Sequence, residues 1–316
     1  MFFGAIAGQP AVQKIRYSSI SKLMRYCEQS YQCLVRNPSL FLMRKIGRFE
    51  LVRNAVCRLS QNPERLLQLF YNSPSIFEDL NADDVASALK TDGLYAGLAL
   101  PQDIVEDIRH YAMTTPCYGN RNLSVPFLFS EKEQAEVQFQ EVFRCASYPT
   151  LPQPSIQKVV YDPGLLAIAT AYLGTVPVYV ASELLWSFPV PATWDEQIQM
   201  AQVFHYDLDD YRAVKFFFYL TDVGLTSGPH VSIRGTHRNK RLLHQLLGQR
   251  CASIPDQTLV SDYGAENVVV LVGDAGFGFV EDSCCFHKGD LPTEQPRLML
   301  QVEFSINYYD NIRAFK

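Results

Sequence analysis

The sequence predicts an α+β fold, a barrel or jelly roll of antiparallel strands supported by helices and preceded by a helical extension. Two patterns lead to that reading. Helical periodicity dominates as far as Gly174, and strand-like segments dominate after it. Those strands then follow one another without the helical crossovers that a parallel sheet requires.

From Gln13 to Arg36, the apolar residues Ile15, Ile20, Leu23, Met24, Cys27, Tyr31 and Leu34 recur largely at helical spacing. "NPSLFLMRKIGRFELVRNAVCRLSQ" predicts a second helix with Pro38 and Ser39 near its start, and "NPERLLQLFYN" a third with Asn62 before Pro63. This organisation divides the chain into a basic helical extension, residues 1–80, and a domain, residues 81–316. In the domain, "NADDVASALKTDGLYAGLAL" reads as helix, glycine and strand, and "PQDIVEDIRHYAM" opens a helix at Pro101. "KEQAEVQFQEVFRCA" and "DPGLLAIATAYLG" continue the helical series, the latter ended by Gly174. The strands expected next are "VPVYVASELLWSF", "MAQVFHYD", "AVKFFFYLTDV", "NVVVLVGD", "GFGFVEDS" and "RLMLQVEFSINYY", rich in β-branched and aromatic residues and parted by turn formers.

At 316 residues and 47% apolar, the chain is long enough for one large packed domain. No apolar run approaches the ~20 residues of a membrane span. In the opening segment the basic residues follow the apolar stretch, the reverse of a secretory signal, so a cytoplasmic location is expected. The eight cysteines include no Cys-x-x-Cys pair, and adjacent Cys284 and Cys285 suit no ordinary structural disulfide; reduced, buried thiols are expected. Residues 1–70 carry +8 of a net charge of −5, leaving −13 on the rest. Solvated helix faces account for such a balance. So does docking to an acidic protein partner or to a membrane surface. No nucleic-acid-binding motif accompanies the charge.

The chemistry lies in "FHYDLDD". In an extended segment His205 and Asp207, two apart, point the same way and can reach one ion. A third ligand from a distant strand would complete the two-histidine, one-carboxylate set of a non-haem Fe(II) site, and His287 closes the strand-like "GFGFVEDSCCFH". Ten residues on, Arg297 opens "RLMLQVEF", where a guanidinium is costly unless an anion pairs with it. A surface arginine at a strand end is the plainer reading of Arg297 alone.

Together the four residues resemble the phytanoyl-CoA dioxygenase family of Fe(II)/2-oxoglutarate oxygenases over roughly residues 82–308. "YLTDVGLTSGPHVSIRGTHR" is similar to that family's strand and turn segment, and "GDAGFGFVEDSCCFHKGDLPTEQPR" to its distal histidine and arginine. The resemblance implies a double-stranded β-helix (jelly-roll, cupin-like) core. It implies His205, Asp207 and His287 as catalytic iron ligands, Arg297 as the anchor for the distal carboxylate of 2-oxoglutarate, and Lys215 near the co-substrate. It also implies Fe(II), 2-oxoglutarate and O2 as cofactor and co-substrates, with succinate and CO2 released and a substrate hydroxylated. With a carboxylate at Asp207, the resemblance implies hydroxylation, with desaturation, epoxidation and cyclisation left open, rather than the halogenation of related enzymes that have a small residue there. "FFFY" and Trp186 point to an apolar small-molecule or acyl substrate, although such aromatics also serve as core; Lys215 alone reads as an edge-strand charge.

The chain departs from the family at Ser227, where asparagine is usual, at His230, where an apolar residue is usual, and at "RGTH". His230 and His237 therefore compete as ligands. His237 reads better as a structural histidine beside the site, and His110 and His244 as helix residues. Two other functions remain open: a non-catalytic binding or sensing member of the fold, and a cupin-type metalloenzyme that needs no 2-oxoglutarate and so no Arg297.

Overall fold

A computed structural model describes residue 28 and residues 31–60, 74–78 and 80–309. The helix expected over Gln13–Arg36 falls mostly outside the described residues, and that over "NPERLLQLFYN" falls wholly outside them. Residues Met43–Tyr308 make one compact unit that holds every element of the site.

Residues 31–36 are helical, and the α-helices that follow are α1 (Pro38–Ile46), α2 (Glu50–Leu59), α3 (Ala82–Asp92), α4 (Gln102–Thr114), α5 (Lys132–Phe139), α6 (Pro154–Val160), α7 (Pro163–Leu173), α8 (Trp194–Gln199), α9 (Leu242–Leu247) and α10 (Asp256–Tyr263). The strands are β1 (Leu94–Ala99), β2 (Cys117–Gly119), β3 (Pro126–Phe127), β4 (Cys145–Tyr148), β5 (Val178–Ser187), β6 (Ala213–Tyr219), β7 (His230–Ile233), β8 (Val268–Leu271), β9 (Phe277–Asp282), β10 (Phe286–Gly289) and β11 (Arg297–Ser305). They form an eight-stranded sheet, β1-β9-β6-β11-β5-β4-β2-β3, and a three-stranded sheet, β10-β7-β8, with antiparallel pairing throughout.

Strand alternation sorts the side chains into layers. On β6, Val214, Phe216 and Phe218 enter a core shared with α3, α4, α6 and α7. Phe217 and Tyr219 face the other way, where they pack with Phe279, Met299 and Leu271 between the two sheets. The far side of the small sheet has its own core, Tyr206, Val231, Ile233 and Phe286 against Leu259 of α10 and partly buried Leu247 of α9. The unit Met43–Tyr308 is therefore layered as helices, large sheet, small sheet and short helices in succession.

Local chemistry fixes the helix ends. The Asn81 side chain accepts from the amides of Asp83 and Asp84, and Asp162 accepts from Leu165, each satisfying orphan donors of a first turn. Gly93 and Gly174 close α3 and α7 in the left-handed conformation.

Three sequence expectations are corrected. The single helix expected over "NPSLFLMRKIGRFELVRNAVCRLSQ" is two, α1 and α2, parted at residues 47–49. A Cβ on Gly47 would crowd the Met43 carbonyl that its own N–H bonds. "KEQAEVQFQEVFRCA" is helical only to Phe139; Gln140 turns left-handed and Cys145 opens β4, opposite Ser187 of β5. "MAQVFHYD" is no strand, since His205 contributes a single bridge. No helix among the described residues is long and apolar enough to cross a membrane.

Gly93 has φ +72°, and a Cβ there would fall on Cys285 Sγ and His237 Nδ1. Gly93→Ala should therefore cost about 2–4 kcal/mol. That would lower the urea midpoint at an unchanged slope.

Candidate metal centre

His205 and His287 face each other across one antiparallel bridge, with His205 N–H to His287 O at 3.0 Å and His287 N–H to His205 O at 2.8 Å. The pairing continues where Asp207 N–H donates to Ser283 O at 2.8 Å. Residues 204–208 thus run along the turn and strand 283–287. Alternation sends Phe204, Tyr206 and Phe286 into the outer core. His205, Asp207 and His287 take the opposite side, and one ligand atom from each lies within 4.8 Å of the others.

The histidine tautomers are set by the backbone. His205 Nδ1 lies 2.9 Å from Val203 O, and His287 Nδ1 lies 2.9 Å from Cys285 O. A carbonyl only accepts, so each Nδ1 carries the proton and each Nε2 keeps its lone pair for a metal. Burial pushes the His287 pKa down to about 4, which leaves that imidazole neutral at pH 7. Two imidazoles and one carboxylate gathered this closely fit a first-row divalent metal.

Lys215 does not sit on a sheet edge. β6 lies between β9 and β11, and the lysine is 3% exposed. Its ammonium donates to Asp207 Oδ2 and to Asp209 Oδ2 at 3.3 Å, with Glu303 Oε2 at 3.7 Å. Burial works against this charge, and Asp207, Glu303 and Asp209 outweigh it, so its pKa is raised.

His230 stays outside the cluster. Its Nε2 lies 3.1 Å from both oxygens of Glu281, and its ring stacks on His287 at 5.5 Å. Glu281 Oε1 is also 3.4 Å from His287 Nδ1, so a buried carboxylate backs the metal-facing imidazole. Burial raises the Glu281 pKa and holds that of His230 well down.

Arg297 is 4% exposed, and burial lowers its pKa. It donates to Gly228 O and, at 3.3 Å, to Ser187 Oγ, while its buried Nε has no partner among the described residues. A Cβ on Gly289 would come within 3.0 Å of Nη2, which places the guanidinium against β10 two residues beyond His287.

No family model matches the chain, and no curated protein sequence does. Solved structures do. The non-heme alpha-ketoglutarate-dependent epimerase SnoN from nogalamycin biosynthesis is 14% identical, over 71% of this chain and 82% of its own, at a TM-score of 0.47. EctD from S. alaskensis with bound Fe is 14% identical, over 76% and 82%, at 0.48. The non-heme monooxygenase ThoJ is 17% identical, over 70% and 77%, at 0.46.

The remaining sequence candidates fall elsewhere. Trp186 is core, stacked on Phe129 at 4.3 Å with its Nε1 donating to Tyr148 Oη. His237 lies behind the site, with Nδ1 3.6 Å from Cys285 Sγ and Nε2 3.4 Å from Lys90 O. His110 is exposed, and His244 is buried against Tyr263 Oη. Sequence reasoning passed over Glu281, Asp209 and Glu303. The alternation of "GFGFVED" marks Glu281, since it shares a face with Phe277 and Phe279.

Lys240 was also passed over. It is buried, its ammonium lies 4.0 Å from the Tyr206 ring centroid and 3.8 Å from that of Phe286, and it has no hydrogen-bond partner among the described residues. Those rings flank the three ligands in sequence, so one cation joins both ligand-bearing segments from behind.

Two outcomes follow. Lys215→Met leaves three carboxylates without their shared cation and should destabilise the metal-free protein by about 3–5 kcal/mol. Added divalent metal should recover part of that loss in thermal melts. Burial lowers the Lys240 pKa to about 8 from 10.5. Between those values the unfolded chain binds more protons, so this residue's contribution to stability rises with pH, by at most about 3 kcal/mol. The Cys284 thiol, pushed up to about 12, works the other way above pH 9. Urea unfolding of wild type and Lys240→Met from pH 8 to 10 isolates the lysine: the wild-type curve should gain on the variant's.

Proposed function

We propose that this chain is an Fe(II)/2-oxoglutarate-dependent dioxygenase of the phytanoyl-CoA dioxygenase type, built on a double-stranded β-helix. It hydroxylates a small-molecule or acyl substrate and releases succinate and CO2. The observation that carries the proposal is the pairing of the His205/Asp207/His287 cluster with a buried arginine whose Nε is orphaned two strand residues past the distal histidine.

His205 Nε2, His287 Nε2 and the Asp207 carboxylate would hold Fe(II). Arg297 would hold the distal carboxylate of 2-oxoglutarate through charge-assisted hydrogen bonds. Two strand residues span about 7 Å, the scale of a five-carbon diacid reaching from the metal to the guanidinium. Iron with 2-oxoglutarate and O2 supplies an oxidant able to attack an unactivated C–H bond. The protein's share is to place that bond and keep water out. Val203 O and Cys285 O fix the ligand tautomers, and Glu281 with His230 holds the His287 ring from behind. Lys215 orients the Asp207 carboxylate and neutralises it in part. The aromatics of β6 belong to the two sheet cores, so they do not define the substrate.

The test is anaerobic addition of Fe(II) and 2-oxoglutarate, read by the weak visible charge-transfer band of the chelate. Wild type should show it, and His287→Ala should not. Arg297→Met should keep metal binding and need about a hundredfold more 2-oxoglutarate. Folded wild-type protein with no band would overturn the proposal.

A further inference from the structure

A cavity of about 350 Å3 lies on the helix side of the large sheet and is lined by none of the metal cluster, Lys215 or Arg297. Its wall includes Asp282, whose side chain leaves β9 opposite to that of Glu281. We propose that this cavity binds a small ligand bearing a multivalent oxyanion, a phosphate ester or a polycarboxylate.

The charge of the lining points there. Arg53, Lys90, Arg212 and Arg238 stand against Glu50 and Asp282. Asp282 is already engaged, accepting from Tyr172 Oη and from the Cys284 amide at 2.7 Å. Glu50 is offset by Arg53, three residues along α2.

Arg53 is committed within the protein. It is buried, and its guanidinium donates to the carbonyls of Gly47, Arg48 and His237 at 2.6–3.3 Å. The other cations retain donors. Arg212 lies over the Tyr172 ring, 5.4 Å from its centroid, and makes one long bond, 3.4 Å, to Tyr172 O. Arg238 makes one, to Lys90 O at 3.1 Å. A guanidinium presents five N–H groups in a fork that suits phosphate and carboxylate oxygens. The side-chain amides of Asn54 and Asn239 add neutral donors to the same wall. The volume is at the small end of ligand pockets, enough for a compact anion and a short organic body.

Titration calorimetry of the metal-free full chain with pyrophosphate and, separately, with citrate tests this. At least one should bind one-to-one with an affinity that falls as salt rises. Binding of pyrophosphate alone assigns the phosphate class, and of citrate alone the polycarboxylate class. Arg212→Gln should weaken binding about tenfold, as should Arg238→Gln, whose exposed side chain is not needed for folding. Arg297→Met should bind as wild type does, which separates this site from the metal centre. No heat with either anion, undiminished affinity in both cavity variants, or loss of binding in Arg297→Met would overturn it.

Discussion

The backbone bridge between His205 and His287 is the constraint on which the site depends. Its two hydrogen bonds, flanked by Asp207 N–H to Ser283 O and Gly289 N–H to Ala201 O, hold the loop that carries His205 to strand β10 that carries His287, 82 positions away. Closing so long a loop carries an entropic cost of a few kcal/mol that the bridge alone does not cover. β7 does, by pairing β10 along its length, with β8 on its other edge and Val231 and Ile233 packed with Tyr206 and Phe286. The same alternation that buries those two rings turns His205, Asp207 and His287 to the other side. One register therefore sets both the outer core and the metal cluster, and a slip of one residue would destroy both.

The buried charges around this cluster fall into two kinds. Lys215 lies among Asp207, Asp209 and Glu303, so its desolvation is offset inside the protein. Arg297 differs. It donates to a carbonyl and a hydroxyl, and its Nε is left over. A buried cation held by neutral acceptors is a costly arrangement that an anionic ligand would relieve, and the guanidinium fits against β10 because Gly289 has no side chain.

Much of this was legible in the sequence, and the reasons are local. Gly93 and Gly174 end helices because they can turn left-handed, and the strands declare themselves by composition and turns. The spacing of His205, Asp207, His287 and Arg297 survives because each sits where a short extended segment fixes its direction. What escaped depends on partners distant in sequence. Lys215 reads as an edge charge until β9 and β11 are seen on either side of it. Glu281 gains its role from His230 and His287, and Lys240 from rings at positions 206 and 286. The aromatics of "FFFY" read as a cavity wall, yet alternation divides them between two cores.

Anomalous diffraction at the iron edge, from crystals grown anaerobically with Fe(II) and 2-oxoglutarate, tests the central claim most directly. One peak should lie within bonding distance of His205 Nε2, His287 Nε2 and an Asp207 oxygen, with a carboxylate of 2-oxoglutarate on Arg297. A peak at His230 and Glu281, or a co-substrate carboxylate that leaves Arg297 unpaired, would contradict it.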